Sequence, residues 1–415
     1  MEYDSLFAKV KKASRELMPL NDAQRNRVIL RLAKLLEENE EALLSANEKD
    51  LARMDSTNPL YDRLKLTSER IKGIANDLRH VASLPSPLGE EIERRTLPNG
   101  ILLRRVRVPF GVIGVIYEAR PNVTFDVFSL CFKSGNACIL KGGRDAENSN
   151  LAGMDLIHKA LEEENINPDV AVLLPSTHEA TGALLNAVGY VDVCIPRGGR
   201  KLIDFVRDNA RVPVIETGAG VVQLYFEKEG NLEMGQRIVE NAKTRRVSVC
   251  NALDTLLIDR SRLDDLGELV APLAGKNVEL HADAESFGIL EKSYPLSLLK
   301  IADEDVWDKE WMDYKMGIRV VGSVFEALAH ISAHGSGHSE SIITDNKEVA
   351  NIFQNQVDAA CVYVNLPTSF TDGAQFGLGA EIGISTQKLG PRGPMGLREM
   401  TTYRYLLSGD GQVRP

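Results

Sequence analysis

Short apolar runs that alternate with helical patterns constrain the fold of this chain more than any other feature of its sequence. Between residues 111 and 220, the apolar runs are Val112–Ile116, Ala137–Leu140, Val170–Leu174, Val191–Ile195 and Val212–Ile215. Helical patterns such as Leu151–Glu164 and Glu179–Val188 lie between them. Strands that alternate with helices in this way predict a parallel sheet with helices on both faces, and therefore an α/β fold.

The rest of the chain extends this pattern. A second set of apolar runs follows at Ala252–Ile258, Ile318–Val321, Ser341–Thr344 and Cys361–Val364, and Thr401–Leu407 predicts a last strand. Residues 1 to about 90 have helical periodicity. Asn99-Gly100 is a strong hairpin signal before the strand Ile101–Val108. The 415 residues are too many for one simple core, so two or three domains are expected.

Composition argues against several classes of protein. The formal net charge of -10, without a basic face, argues against nucleic-acid binding. Five cysteines without a Cys-x-x-Cys pair argue against a disulfide framework or a structural zinc site. The start of the chain lacks the features of a signal peptide, and the most apolar run, Val108–Tyr117, is about half as long as a membrane helix. We therefore expect a cytoplasmic protein with reduced thiols and no membrane attachment.

One cysteine has the local surroundings of a nucleophile. Cys250 lies between a helical pattern at Asn231–Lys243 and an apolar strand, and it follows Arg245 and Arg246. Positive charge nearby favours the thiolate, which is the reactive form of cysteine. On this local context alone, a buried structural cysteine is the alternative.

Polar residues and glycines follow the predicted strands of the first sheet. Glu216 ends an apolar run just before two glycines, so its carboxylate is exposed to the crevice that the strand faces. Lys141, Gly142 and Arg144 follow another run, and lysine and arginine suit phosphate.

A second glycine segment is similar. Arg197, Gly198 and Gly199 follow a further run and open a helical pattern, whose N–H groups bind anions. Either glycine segment alone is common in ordinary loops. Two segments in register in one half of a doubly wound sheet favour a ligand that contains phosphate.

These four features, in this order, resemble the aldehyde dehydrogenase superfamily over most of the chain. Three further segments are similar to the gamma-glutamyl phosphate reductase family: Tyr-Glu-Ala-Arg-Pro-Asn-Val-Thr at 117–124, His-Gly-Ser-Gly-His-Ser-Glu at 334–340 and Gly-Pro-Arg-Gly-Pro-Met-Gly-Leu at 390–397. The resemblance implies reduction of L-glutamyl 5-phosphate to L-glutamate 5-semialdehyde and phosphate, the second step of proline biosynthesis. It also implies no metal.

The resemblance implies an aldehyde dehydrogenase-like fold with three parts. A Rossmann-like NADP-binding domain is expected from residues 1–95 and 112–221, to which residues 381–398 return. An α/β catalytic domain with Cys250 is expected from 222–380. A β oligomerisation arm is expected from 96–111 and 399–415. Strand edges in such an arm are open to pairing, so a homodimer or homotetramer is expected.

The resemblance also implies roles for individual residues. Cys250 is expected to attack the acyl phosphate and form a thioester, while Asn122 and the Cys250 backbone N–H hold the oxyanion. Lys141, with Gly142, is expected at the adenosine ribose, and Gly198 and Gly199 at the pyrophosphate.

Charged residues near these positions have less specific expected roles. Arg197, Arg245 and Arg246 are candidates for the leaving phosphate or the substrate carboxylate, and Ser248 is a further substrate-binding candidate. The glutamate that matches Glu216 activates water in aldehyde-oxidising relatives, where it hydrolyses the thioester. Such hydrolysis is wasteful in a reductase, so Glu216 is expected either to be turned away or to shuttle protons.

Arg144 bears on the choice of cofactor. Many NAD-using relatives have a glutamate at this position, which accepts a hydrogen bond from the ribose 2′-hydroxyl. A carboxylate repels a 2′-phosphate, whereas a guanidinium can pair with it. NADPH is therefore favoured over NADH.

Two alternatives to this function remain. The first is a hydrolytic NAD(P)-dependent aldehyde dehydrogenase of the same superfamily. The second is a non-catalytic partner that channels the acyl phosphate from a kinase, and a glutamate kinase is also a possible partner of the enzyme.

Two other patterns are interpreted as structural. His330, His334 and His338 have helical spacing, but glycines interrupt any helix there, so a metal site is not expected. The segment Gly377–Gly383 is similar to a dinucleotide fingerprint, but its last spacing is one residue too long, so a loop is expected.

Overall fold

The computed structural model describes residues 2–56, 58, 61–118 and 120–414. The chain divides into two compact units. The first unit comprises Met1–Thr217, Gly377–Gly383 and Met395–Pro415, and the second comprises Gly218–Phe376 and Ile384–Pro394. No helix among the described residues is both long and apolar enough to span a membrane.

Helices open the first unit. They are α1 (Glu2–Ala13), α2 (Asp22–Glu38), α3 (Glu40–Leu51), α4 (Tyr61–Leu64) and α5 (Ser68–Ser83). Asn21 caps α2, because its side chain accepts from the Gln24 N–H while the Gln24 side chain accepts from the Asn21 N–H. The apolar stripe of α2, including Val28 and Leu32, is buried in the main core of this unit. The helical periodicity of the sequence therefore corresponds to helices packed on a domain.

A four-stranded parallel sheet forms the centre of the first unit. After β1 (Glu91–Thr96) and β2 (Leu102–Pro109), the elements of this sheet and its helices are β3 (Val112–Tyr117), α6 (Pro121–Lys133), β4 (Ala137–Lys141), α7 (Glu147–Glu163), β5 (Ala171–Leu173), α8 (His178–Leu185), β6 (Val193–Arg197) and α9 (Arg200–Asn209). The strand order is β5-β4-β3-β6, and all pairs are parallel. Every residue of β3 is buried, as expected for a strand covered on both faces.

A seven-stranded sheet forms the second unit. Its elements are β7 (Gln223–Phe226), α10 (Leu232–Thr244), β8 (Thr255–Asp259), α11 (Leu266–Ala274), β9 (Glu279–Ala282), α12 (Ala284–Leu290), β10 (Leu299–Ile301), β11 (Lys315–Val321), α13 (Val324–His334), β12 (Ser339–Ile343), α14 (Lys347–Gln356), β13 (Cys361–Val364), β14 (Ile384–Ser385) and β15 (Gly393–Pro394). The strand order is β10-β9-β11-β8-β7-β12-β13, and the pairs are parallel. The two parallel sheets confirm the predicted α/β class.

An antiparallel sheet of three strands completes the first unit. β16 (Thr401–Ser408) pairs with β2, and β2 pairs with β1 across a turn in which Gly100 has a φ of +82°. A left-handed φ favours glycine, so Gly100 suits this position in the turn. The hairpin already begins at Glu91, earlier than the arm predicted from residue 96.

One segment differs from the predicted domain boundaries. Residues 384–394 belong to the second unit, whereas 381–383 and 395–398 belong to the first, to which the segment 381–398 was expected to return. β14 and β15 pair with each other, and the Gly218 N–H donates to the Ile384 oxygen at 2.8 Å. The hydrogen bond from Gly218 joins the segment to the second unit.

Candidate active site

In the first unit, neighbouring strands end at a common edge of the parallel sheet. β3, β4 and β6 end at Tyr117, Lys141 and Arg197. The glycine segments 142–144 and 198–199 follow two of these strands directly. Ligands of open α/β sheets bind in the crevice at this carboxyl edge. Both glycine segments therefore lie where a ligand of such a sheet binds.

Lys141 and Arg144 form a small positive cluster at this edge. Lys141 is partly buried, and Arg144 is exposed. Burial lowers the pKa of Lys141, and the nearby Arg144 guanidinium lowers it further. Gly142 leaves no room for a side chain, because a Cβ there would lie 2.2 Å from Asn150 Nδ2. Two adjacent cations beside a bare backbone segment fit a phosphate group.

Asp50 on α3 holds the turn that follows these cations. The Asp50 side chain is buried and accepts from the backbone N–H groups of Asn148 and Ser149 at 3.1 and 2.8 Å. Arg53, which forms an ion pair with Asp50, donates to the backbone oxygen of Arg144 at 3.1 Å. The backbone around the positive cluster is thereby fixed before any ligand binds.

The N-terminus of α9, where the sequence predicts an anion, contacts a carboxylate of the protein itself. The backbone N–H of Gly199, the N-cap residue of α9, donates to Glu118 Oε2 at 3.0 Å. A Cβ at Gly198 would lie 2.7 Å from the Glu118 carboxyl carbon. Helix N-termini favour negative charge, which explains this pairing. Glu118 was not among the predicted site residues, although it lies within the segment 117–124.

Asn122, the predicted oxyanion amide, lies in the first turn of α6. Its Nδ2 donates to Asp126 Oδ2 at 2.8 Å, one helical turn away. An amide nitrogen carries two hydrogens, so the second can donate to another acceptor. Burial raises the pKa of Asp126 to about 6, against the opposing effects of the Asn122 hydrogen bond and the Arg197 guanidinium. Asp126 was also missed, and its i, i+4 spacing from Asn122 is the signal that identifies it.

Glu216 lies near α9 in the first unit. Its Oε2 is 3.7 Å from Nη1 of Arg207, and its side chain is 27% exposed. The run Val212–Ile215 before it is not a strand, since only an isolated bridge joins Val214 to Cys194. Glu216 therefore belongs to an irregular segment of the first unit, whereas Cys250 belongs to the second.

Cys250 lies in the turn that joins α10 to β8. Its residue is partly buried, whereas the other four cysteines of the chain are buried: Cys131, Cys138, Cys194 and Cys361. The Gly220 backbone packs directly against this turn, because a Cβ at Gly220 would lie 1.6 Å from the Cys250 carbonyl oxygen. A nucleophilic cysteine must be accessible, and Cys250 is the cysteine of this chain that meets that requirement.

The predicted substrate-binding residues of the second unit precede Cys250. Arg245 and Arg246 follow the last turn of α10 and are exposed, and Ser248 is partly buried. Lys243 is buried instead, and its Nζ donates to the Leu253 oxygen at 3.0 Å. Burial lowers the pKa of Lys243. Lys243 therefore supports the base of the turn, while the two exposed guanidinium groups are available to an anion.

The three regularly spaced histidines do not share one helix. His330 and His334 are in α13, with ring centroids 4.6 Å apart, whereas His338 is buried just before β12. His338 Nδ1 is 2.7 Å from Ser339 Oγ. In the part of the chain that the structure describes, no group of three or more His, Cys, Asp or Glu side chains is placed to hold a metal ion.

Curated proteins match the chain over nearly its full length. The gamma-glutamyl phosphate reductase of Bacteroides thetaiotaomicron is 57% identical over 408 residues, which cover 98% of each chain. That of Chlorobium chlorochromatii is 57% identical over 406 residues, which cover 98% of this chain and 97% of the relative. No protein-family model matches the chain.

Solved structures match the fold. The crystal structure of gamma-glutamyl phosphate reductase from Thermotoga maritima has a TM-score of 0.95 and 38% identity, and the match covers 99% of each chain. An acetylating aldehyde dehydrogenase from Geobacillus thermoglucosidasius has a TM-score of 0.71 at 16% identity, over 100% of this chain and 98% of that one. At such low identity the likeness shows the fold alone. The predicted aldehyde dehydrogenase-like fold is confirmed.

Proposed function

The chain belongs to the gamma-glutamyl phosphate reductase family, and on that basis we propose that it reduces L-glutamyl 5-phosphate with NADPH. The products are L-glutamate 5-semialdehyde and phosphate, and the reaction is the second step of proline biosynthesis. One observation carries the proposal: relatives of this name are 57% identical over 98% of the chain. The accessibility of Cys250 among buried cysteines supports it independently.

Covalent catalysis by Cys250 is the first part of the proposed mechanism. The thiolate attacks the acyl carbon, the bond from that carbon to the phosphate oxygen breaks, and a thioester and inorganic phosphate form. The exposed Arg245 and Arg246 balance the charge of the leaving phosphate, and Ser248 contacts the substrate. Arg197 is the corresponding candidate in the first unit, for the phosphate or for the substrate carboxylate.

Reduction of the thioester is the second part. NADPH, when bound, would supply the hydride that reduces the thioester carbon. The Asn122 amide and the Cys250 backbone N–H stabilise the negative charge that develops on the carbonyl oxygen in both additions. The thiohemiacetal then collapses to the aldehyde, and Cys250 leaves as the thiolate. Asp126 keeps one hydrogen of the Asn122 amide engaged, which limits the amide's orientations.

The choice of NADPH rests on the positive cluster. Lys141 and Arg144 pair with the adenosine ribose and its 2′-phosphate, and the bare backbone at Gly142 allows close approach. Gly198 and Gly199, at the start of α9, would hold the pyrophosphate through the helix N-terminus. No carboxylate occupies position 144, so the 2′-phosphate meets no repulsion from it.

Glu216 has a supporting place in this proposal. Its neighbour Arg207 is a fixed cation on α9, 3.7 Å away. Glu216 serves as a proton shuttle during collapse of the thiohemiacetal, rather than as the base that activates water. Water attack on the thioester would discard the acyl group as free glutamate.

The arm formed by β1, β2 and β16 gives a homodimer or homotetramer. Tyr403, Tyr405 and Leu407 of β16 are about half exposed, at 50%, 49% and 57%, so one face of the arm offers apolar area to a second copy. The enzyme acts in the cytoplasm, where thiols such as Cys250 stay reduced. A glutamate kinase is the proposed partner that supplies the acyl phosphate.

Phosphate dependence tests the proposed reaction. Purified protein is mixed with glutamate 5-semialdehyde and NADP⁺, with or without inorganic phosphate, and NADPH absorbance is followed. Sustained NADPH formation that requires phosphate supports the reductase. Equal rates without phosphate identify water as the acceptor and support the hydrolytic aldehyde dehydrogenase. No NADPH in either mixture contradicts the substrate assignment, and turnover by the isolated chain excludes a purely channelling partner.

A further inference from the structure

Asn251, the residue after the proposed nucleophile, ties the Cys250 turn to a distant segment of the second unit. Its Nδ2 donates to the backbone oxygen of Thr371 at 2.9 Å. In the opposite direction, the Thr368 hydroxyl donates to the backbone oxygen of Asn251 at 2.8 Å. Asn251 is 6% exposed and Thr368 is fully buried, so water does not compete for these hydrogen bonds. The side chain and the backbone of one residue are thus held by one segment, residues 368–371.

The segment 368–371 is itself anchored on two sides. The Thr371 hydroxyl forms hydrogen bonds with Ser339 Oγ at 2.6 Å and with Tyr363 Oη at 2.8 Å, which fixes it to β12 and β13. The Ser369 hydroxyl donates to Asn241 Oδ1 on α10 at 2.7 Å. Because α10 leads directly into the Cys250 turn, the anchor holds both the start and the end of that turn.

Close packing restricts the same turn from another direction. A Cβ at Gly220 would lie 1.6 Å from the Cys250 carbonyl oxygen and 3.0 Å from its Cα, so the Gly220 backbone is in direct contact with Cys250. Backbone contact at Gly220 and hydrogen bonds at Asn251 therefore limit movement of the Cys250 backbone along different directions.

We propose that Asn251 is a positioning residue for Cys250 in thioester formation, acting through its hydrogen bonds to Thr368 and Thr371. The role of Cys250 itself rests on the function proposed above. A nucleophile must be held within a fraction of an ångström of its attack geometry, and a displacement of about 1 Å costs roughly 100-fold in rate. Because Asn251 follows Cys250 directly, its hydrogen bonds restrain both the Cys250 thiol and the Cys250 backbone N–H, which is proposed to stabilise the oxyanion. Its loss therefore lowers kcat more than it raises KM.

Thr368 offers the cleanest variants, because its hydroxyl can be removed without a change in shape. Thr368→Val deletes the hydrogen bond to Asn251, and Thr368→Ser retains the hydroxyl. Thr344→Val is the matched control, since Thr344 is also buried and its hydroxyl donates to Glu227 Oε2 at 2.7 Å. Thr344 follows the carboxyl end of β12, whereas the Cys250 turn precedes the amino end of the parallel strand β8. The two threonines therefore lie at opposite edges of the sheet.

The measurements are kcat, KM, thermal stability and the rate of Cys250 alkylation by iodoacetamide, followed at the Cys250 peptide by mass spectrometry. We expect Thr368→Val to lower kcat about 10-fold with KM changed by less than about 2-fold, and to alter the pH profile of alkylation. Thr368→Ser is expected to restore kcat and the pH profile of alkylation to those of the unmodified protein. Thr344→Val is expected to leave kcat and alkylation unchanged, although its thermal stability falls about as much as that of Thr368→Val.

Asn251→Asp gives a second, independent test. As pH rises, the aspartate ionises and its carboxylate faces the backbone oxygen of Thr371, so we expect kcat relative to the unmodified protein to fall further at high pH. The positioning role is overturned if Thr368→Val and Thr344→Val have equal kcat values. It is also overturned if the loss of kcat in Asn251→Asp is independent of pH. Alkylation distinguishes this result from failure of the proposed function, because alkylation reports on the Cys250 turn even if turnover proceeds through another residue.

Discussion

The Glu118 carboxylate accepts a hydrogen bond from the Gly199 backbone N–H at 3.0 Å, at the start of α9. A protein carboxylate thus sits against the helix N-terminus that we propose for the cofactor pyrophosphate. Two anions cannot share this N–H group, so cofactor binding must displace Glu118 or work against its charge.

Glu118→Gln tests this competition. The amide keeps a hydrogen-bond acceptor but removes the negative charge, so we expect the Kd for NADPH to fall by about 2- to 5-fold at low ionic strength, a change worth about 0.4–1 kcal/mol. Titration of NADPH fluorescence measures the Kd. Glu179→Gln is the control, because Glu179 lies in the first turn of α8, another helix N-terminus. A Kd that is unchanged or higher in Glu118→Gln contradicts the competition.

Arg144→Glu tests cofactor choice. A glutamate at this position repels the 2′-phosphate and accepts from a 2′-hydroxyl, so we expect the ratio of kcat/KM for NADPH to that for NADH to fall by about 10- to 100-fold. Initial rates with each cofactor give the ratio. Lys159→Glu, an exposed charge reversal on α7, is expected to leave it unchanged. If kcat/KM falls by the same factor with both cofactors, Arg144 supports the fold rather than binding the 2′-phosphate.

Asp126 is expected to limit stability at neutral pH. Its folded-state pKa of about 6 lies above the ordinary value of 3.8, so the folded protein binds this proton more tightly than the unfolded chain. The free energy of unfolding therefore falls as pH rises from about 4 to 6, and stays lower above that range. We expect Asp126→Asn to raise it at pH 8 by about 1–3 kcal/mol, with little effect at pH 4.

Urea unfolding at the two pH values measures this effect. The asparagine side chain still accepts from Asn122, so the variant isolates the cost of ionisation from the loss of the hydrogen bond. A variant that is destabilised equally at both pH values contradicts the assignment, because a shared packing defect then explains the result.

His338 is expected to make the fold sensitive to acid. Burial lowers its pKa to about 4 from the ordinary 6.5, so the unfolded chain binds more protons between these values. The free energy of unfolding therefore falls as pH decreases from about 6.5 to 4. We expect His338→Gln to reduce the loss between pH 7 and pH 4 by about 2–3 kcal/mol. His178→Gln, at an exposed position on α8, is the control, and an equal reduction there contradicts the prediction.

The central strands were predictable because burial on both faces leaves a continuous apolar run. The run Cys361–Val364 coincides with β13, and Ala137–Leu140 lies within β4. Val212–Ile215 is equally apolar, but it forms only an isolated bridge to Cys194. Cys194 lies in β6, which is the edge strand of the four-stranded sheet. Short strands with polar residues were missed, such as Gln223–Phe226 and Glu279–Ala282. Their pairing partners lie far away in sequence, so local pattern does not reveal them.

The candidate site residues were proposed from motif and order, whereas their hydrogen-bond partners became visible only in the fold. Cys250, Lys141 and Arg144 follow from residue type and position after a helix or strand. The hydrogen bond from Gly199 to Glu118 joins residues far apart in the chain, and so does the one from Asn251 to Thr371. Such contacts depend on the tertiary fold. No local spacing encodes them.

A glutamyl thioester on Cys250 is the central claim, and one experiment tests it most directly. The protein is mixed with glutamate 5-semialdehyde and NADP⁺ in the absence of phosphate, and NADPH formation and the mass of the Cys250 peptide are measured together. The account predicts a burst of about one NADPH per active chain, a glutamyl adduct on Cys250 and resumed turnover when phosphate is added. Cys250→Ala is expected to give neither burst nor adduct. A burst without an adduct on Cys250, or turnover by Cys250→Ala, contradicts the account.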